Sequence, residues 1–136
     1  MIIENKYPIC EFDTNNNAKI KASDFLEKSL PKKCVITFFR KELEELASEK
    51  GLPIIGKLHS EVVDLPIYGY SNDICIAIPF AAAPGAAVTL EELYAMGCEK
   101  FIVCGGAGCI VDDMDLGKII IPTLAIRDEG TSYHYI

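Results

Sequence analysis

Apolar residues along this chain gather in short blocks separated by glycine, proline and polar clusters, and the period of the pattern switches between strand-like and helix-like. Residues 34–39 read CVITFF, β-branched and aromatic without a charge, which predicts a buried strand. Residues 40–50 then predict a helix, with Phe39, Leu43, Leu46 and Ala47 on one face, Arg40, Lys41, Glu44, Glu45 and Ser48 on the other, and Gly51 placed to stop it. Residues 54–58 and 65–70 are weaker strand candidates, and Ser71-Asn72-Asp73 makes a turn. Residues 74–80, ICIAIPF, are apolar on both faces as a central strand would be. A second helix is predicted over 84–96, with Pro84 at its first position, Ala87, Leu90 and Tyr94 sharing a face, Glu91 and Glu92 towards water, and Gly97 ending it. Strands follow at 100–104 and, between Gly117 and Pro122, at 118–121. Upstream, residues 11–28 are polar and turn-rich around Asn15, Asn16 and Asn17, and SDFLEKSL predicts a short helix capped by Ser23.

Strand, helix and strand over about 30 residues make a βαβ unit with parallel strands and a right-handed crossover. The pattern is therefore α/β. No repeat, low-complexity tract or linker divides it, so residues 1–136 read as a single domain.

Composition narrows the function classes. Half of the 136 residues are hydrophobic, which excludes a disordered chain. The net charge of −7, with no basic cluster beyond Lys32-Lys33 and Arg40-Lys41, argues against a nucleic-acid surface. The apolar stretch 74–87 is broken by Pro79, Pro84 and Gly85 and falls short of the roughly 20 residues a membrane helix needs. The first residues, MIIENKYPIC, have neither a basic nor an apolar leader region. Six cysteines (Cys10, Cys34, Cys75, Cys98, Cys104 and Cys109) lie partly in strand-like runs without any CxxC, so free thiols in a reducing, cytoplasmic setting are expected. A zinc site at Cys104 and Cys109 would lack partner ligands at metal spacing, and no metal is expected.

In open α/β sheets ligands gather at the carboxyl ends of strands. After the 74–80 strand, Ala81-Ala82-Ala83-Pro84-Gly85 leads into a helix whose first N–H groups favour an anion. After the 100–104 strand, Gly105-Gly106-Ala107-Gly108 lets backbone amides approach a ligand, or else forms a tight turn between packed strands. It is no dinucleotide fingerprint, because Asp112-Asp113-Met114-Asp115 follows instead of a helix. In the polar run 127–135, Arg127 could bind phosphate or carboxylate through its fork, or pair with Asp128 or Glu129 to hold a turn. His134 could serve as acid or base or simply pack between tyrosines, and His59 reads as a loop-edge histidine.

The order of these pieces from Ile74 to Tyr135 resembles the nucleoside phosphorylases of the uridine and purine phosphorylase superfamily. The residues that carry the resemblance are the small-residue loop with Pro84, Val88-Thr89-Leu90-Glu91-Glu92-Leu93, Gly97, Gly105-Gly106-Ala107-Gly108, Leu116-Gly117-Lys118-Ile119-Ile120-Ile121 and Ala125-Ile126-Arg127-Asp128-Glu129-Gly130-Thr131-Ser132. Weaker similarity extends back to about Leu30.

This resemblance implies a three-layer αβα fold with a mixed, partly barrel-like sheet, of which this chain would be the amino-terminal part. It also implies phosphorolysis of a purine or pyrimidine nucleoside to free base and ribose 1-phosphate by a pentosyltransferase. Nucleoside and phosphate would be the partners, phosphate the co-substrate, no cofactor would be needed, and the protein would be a homo-oligomer. Gly105, Gly106, Ala107 and Gly108 are the residues it places against ligand; Arg127, or Arg40, is a candidate to hold phosphate in place of the family's arginines, and no catalytic residue is assigned. Positioning and electrostatics would do most of the work, which fits the lack of a nucleophile triad.

The chain departs from the family pattern in places. Gly106 stands where Ser or Thr is common, Val103 and Glu42 where arginines are expected, and Ser60 where a neighbouring subunit supplies one. The family's later ribose and base residues do not occur, so the isolated chain is expected to have little activity and an unpaired apolar edge at 133–136. A non-catalytic nucleoside-binding relative, or a nucleosidase using water, are the alternatives.

Overall fold

A computed structural model describes residues 2–3, 12–13, 21–24, 26, 29–112 and 114–135. Asn15, Asn16, Asn17, Cys10, Asp113 and part of the helix predicted from Ser23 lie outside them. What is described there is a short 3-10 turn at Ala22–Asp24. Strands β1 (Ile2–Ile3) and β2 (Phe12–Asp13) form a small antiparallel pair.

The body is a mixed sheet of five strands: β3 (Lys33–Thr37), β4 (Ile54–His59), β5 (Asp64–Ser71), β6 (Ile74–Ala77) and β7 (Lys100–Cys104). Their spatial order is β4-β5-β6-β3-β7. β3 pairs in parallel with both β6 and β7, while β5 runs antiparallel to β4 and to β6. Helix α1 (Arg40–Lys50) joins β3 to β4, and α2 (Ala82–Ala95) joins β6 to β7. Because β4 is parallel to β3 but lies on the opposite side of it from β7, right-handed crossovers put α1 and α2 on opposite faces. The result is the expected α/β layering around a mixed sheet.

Core residues follow the sheet pleat. Cys34, Ile36, Cys75, Ala77, Ile67, Leu58 and Leu65 are buried on one face of the sheet and belong to an apolar cluster that also includes Leu43 of α1 and Leu93 of α2. Helix α1 ends where predicted: Gly51 takes a left-handed φ of 60°, and the cap N–H groups bond back to Ala47 and Ser48. Among the described residues no helix is long and apolar enough to cross a membrane.

Several expectations need correction. Helix α2 begins at Ala82, so Pro84 is its third residue; its missing N–H is still one of the first-turn donors that have no helical partner. Its buried residues are Thr89, Leu93 and Ala95, whereas Leu90 and Tyr94 are exposed and Glu92 is half-buried. An alanine-rich, largely apolar helix does not reveal its inward face by period, because several stripes look equally apolar. Phe39 precedes α1 and is exposed, not part of its buried face.

Residues 118–121 form no strand. They pair with no ladder, Ile119 and Ile121 are almost fully exposed, and β7 is left as the outer strand. β-propensity is realised only where a partner strand and a packed face exist. On this side of the sheet the unpaired edge is therefore that of β7, while the segment expected to supply it, near 133–136, carries a 3-10 turn at Ser132–His134.

Candidate ligand site at the carboxyl ends of the parallel strands

Parallel pairing brings the carboxyl ends of β3, β6 and β7 to one edge of the sheet, and the turn between β4 and β5 reaches the same edge. Phe38 and Phe39 follow β3, Ile78-Pro79-Phe80-Ala81 follows β6, and Gly105, Gly106, Ala107 and Gly108 follow β7. The Phe38 N–H donates to Cys104 O at 3.1 Å, which ties the first of these segments to the last.

The glycine run is exposed, carries no helix, strand or turn, and does not join two strands. A side chain at Gly105 would meet the Phe38 ring at 3.4 Å, and one at Gly106 the Phe39 ring at 3.5 Å. Two exposed aromatic rings therefore stand beside the glycine backbone. Sequence reading placed Phe38 and Phe39 in a buried strand and helix face, so this apolar platform was missed.

Both helices start at this edge. Neither Phe39 before α1 nor Ala81 before α2 offers a side-chain cap, so first-turn N–H groups of both helices remain free for an anion. Ala82 has a φ of 65°, a left-handed conformation that a non-glycine residue rarely takes and that costs about 1–3 kcal/mol. Strain of that kind concentrates where a loop must hold a particular shape for a ligand. The loop is fixed from beneath: the Phe80 N–H donates to the hydroxyl of fully buried Thr89 at 3.1 Å.

The arginines are occupied locally. Arg40 Nε donates to Glu44 Oε1 at 2.8 Å along α1. Arg127 lies over the Tyr133 ring, 4.9 Å from its centroid. Glu129 accepts from the Ser132 hydroxyl and from the N–H groups of Thr131 and Ser132, which with the nearby Arg127 charge hold its carboxyl below the usual range. The run 127–135 thus holds a turn together with its own side chains, and the Tyr133 partner of Arg127 lies within it. His134 is exposed. Tyr135 donates its hydroxyl to Glu91 of α2 at 3.0 Å, which ties this turn to the second helix.

At the β4–β5 turn, Asp64 accepts from Lys57 Nζ at 2.7 Å and pairs with His59. Lys57 first and His59 second hold the Asp64 carboxyl below its ordinary 3.8. The depressed folded value means these pairs stabilise the fold above pH 3.8 and stop doing so as pH falls through the folded value. An NMR titration of Asp64 is expected to give a midpoint under 3.8, and Lys57→Ala should raise it more than His59→Ala does. The reverse order would contradict the geometry. Glu92, across from His59, is pushed up mainly by burial.

A cleft of roughly 640 Å³ opens at the other end of the sheet, among Ala22, Lys32, Tyr94, Gly97 and Cys98. It precedes the amino ends of β3 and β7 and is remote from the glycine run in the order of the fold. Exposed Cys104 and Cys109 belong to no metal-binding group among the described residues. The three buried thiols Cys34, Cys75 and Cys98 do converge, which sequence spacing did not foretell.

Comparison with known proteins adds to this geometry. A stretch of 64 residues is 38% identical to a guanosine phosphorylase of Halorubrum lacusprofundi, covering 47% of this chain and 27% of that relative. A stretch of 53 residues is 42% identical to a uridine phosphorylase of Thermococcus kodakarensis, covering 39% of this chain and 19% of the relative. A uridine phosphorylase of Haemophilus influenzae is 30% identical over 70 residues, covering 50% and 28%. The matched stretches thus span less than a third of these relatives. No solved structure matches. The sequence profile of the Phosphorylase superfamily covers residues 32–136, from just before β3 through both helices, the glycine run and the Glu129 turn. On that match, which runs through the whole five-stranded sheet, the chain belongs to the phosphorylase superfamily.

Proposed function

We propose that the protein is a nucleoside phosphorylase that splits a purine or pyrimidine nucleoside with phosphate, giving free base and ribose 1-phosphate, as a cytoplasmic homo-oligomer. The observation that carries this reading is the convergence at one sheet edge of two uncapped helix starts with the exposed glycine backbone. Free N–H groups at both helix starts favour a phosphate dianion. The rings of Phe38 and Phe39 beside Gly105 and Gly106 offer a flat apolar surface for a ribose or base.

In this reading Gly105, Gly106, Ala107 and Gly108 line the ligand, and the Ala82 loop presents its backbone to it. Nothing in the reaction needs a protein nucleophile: phosphate attacks the anomeric carbon while the glycosidic bond breaks, and the fixed dipoles stabilise the charge that shifts. No cofactor enters, phosphate being the co-substrate. Arg127 would join the site only by leaving Tyr133, so its part is secondary to that of the glycine backbone.

A second reading, a relative that binds nucleosides without cleaving them, is favoured by the pairing of Arg40 with Glu44, which leaves the α1 start without a free guanidinium. Incubating the natural protein with uridine and with guanosine, with and without phosphate, separates these readings. Base and ribose 1-phosphate that appear only with phosphate are the expected result. Binding without turnover would replace it by the second reading, and release at the same rate without phosphate would mean that water is the nucleophile.

A further inference from the structure

Three thiols meet in the core at the amino ends of the parallel strands, the end opposite the proposed ligand site. Register sets Cys34 of β3 directly beside Cys75 of β6. Cys98 follows α2, where its N–H bonds to Leu93 O at 2.9 Å and brings its side chain back over the same sheet face. The three sulfur atoms all lie within 4.8 Å of one another, and those of Cys75 and Cys98 are 3.7 Å apart. The three residues are at most 2% exposed.

That spacing is what a single thiophilic centre requires. With metal–sulfur bonds of about 2.3 Å, three sulfurs around one centre sit roughly 3.5–4.0 Å apart, so small side-chain rotations would complete the site. No fourth His, Cys, Asp or Glu joins the group among the described residues. Zinc in proteins takes four ligands in its structural sites, which this cluster does not supply. Charge decides among the remaining soft centres. Three thiolates carry three negative charges into a core of Leu30, Ile36, Ile76 and Leu93, where an uncompensated charge is strongly disfavoured. Of the lysines at this end, Lys33 is paired with Asp73 and Lys32 with Glu99, while Lys21 and Lys100 are exposed to solvent, outside the core. A cuprous ion would leave two negative charges and zinc one, whereas a trivalent centre leaves none.

We propose that Cys34, Cys75 and Cys98 form a three-sulfur site for trivalent arsenic, taken up as neutral arsenous acid. Three As–O bonds break and three As–S bonds form; each thiol proton leaves with a hydroxide as water, and no atom changes oxidation state. The approach is through the cleft whose wall includes Gly97 and Cys98. Once bound, the centre would staple β3, β6 and the end of α2 together.

The test uses reduced protein carrying Cys10→Ser, Cys104→Ser and Cys109→Ser, so that only the core thiols remain, with sodium arsenite as the probe under anaerobic conditions. Native mass spectrometry is expected to show one arsenic per chain with three hydrogens lost, and arsenic X-ray absorption three sulfur neighbours and no oxygen. Cys98→Ala in this background is expected to weaken binding at least about tenfold. An unchanged mass, fewer than three hydrogens lost or an oxygen neighbour would overturn the site. Should Cys98→Ala fail to fold, the stoichiometry and absorption spectrum of the parent decide alone. Zinc or cuprous ion bound as tightly as arsenite would overturn the assignment to a trivalent centre.

Discussion

Replacing Leu93 by alanine is expected to cost about 2–5 kcal/mol of folding stability, read as a lowered urea midpoint. Leu93 is fully buried and belongs to the cluster that unites α2 with the sheet. Its backbone carbonyl also holds the N–H of Cys98. Truncation removes the transfer energy of the lost isopropyl group and leaves a cavity that neighbours anchored in strands fill poorly. A domain of this kind has only about 5–15 kcal/mol to lose, so the variant would be partly unfolded well below the parent's midpoint. Leu93→Met, which keeps the volume, is expected to cost less than about 1.5 kcal/mol. Equal losses from the two replacements would mean that the packing around Leu93 is not as described. Because α2 carries the proposed anion-binding start at its other end, the alanine variant should also weaken nucleoside and phosphate binding in step with stability.

A second substitution should reverse a usual sign. Gly→Ala inside a helix ordinarily gains about 0.5–1 kcal/mol, since alanine restricts the unfolded chain and favours the helix. At Gly85 the same change is expected to lose about 1–3 kcal/mol. A Cβ there would lie 2.7 Å from the carbonyl carbon of Phe80 and 2.9 Å from its oxygen, distances that real Cβ atoms do not tolerate. Phe80 cannot simply withdraw, because its N–H is held by the Thr89 hydroxyl one turn further along α2. The first turn of α2 would have to tilt away from the strand end, which would also displace the strained Ala82 peptide. Thermal unfolding of Gly85→Ala tests this directly; a stabilised protein would mean that the close approach does not exist.

Residues 40–50 and 100–104 were legible because each element carried two signals at once. For α1 these were an amphipathic stripe and a glycine free to take the left-handed stop. For β7 they were a β-branched run and the glycines that follow it. The α2 face was illegible because alanines give no contrast around the helix, and only the pairing of Thr89 with Phe80 reveals which side is inward. Residues 118–121 had the composition of a strand but not a partner, and pairing is a property of the whole fold rather than of four residues. For the site, the glycine run and the small-residue loop could be named from sequence. The Ala82 conformation and the Phe38 and Phe39 surface could not, since they depend on where three strand ends meet. The three-thiol cluster was hidden for a similar reason: its members come from separate elements, and only the β3–β6 register and the α2 end bring them together.

The position of β3 in the sheet has a bearing on how the protein is made. It is an interior strand, paired on both sides, yet it leaves the ribosome before either of its neighbours, β6 or β7, exists. At synthesis rates of about 5–20 residues per second, its two neighbours follow only after an interval on the order of seconds. During that interval its apolar residues, among them Ile36 and Cys34, have no sheet to enter. The hairpin of β4 and β5 is complete before β6 emerges, so the sheet is expected to grow from that side, with β6 docking β3 and β7 closing last. Nascent chains arrested before residue 74 should therefore bind a chaperone at the β3 segment, and those extended past residue 104 should release it.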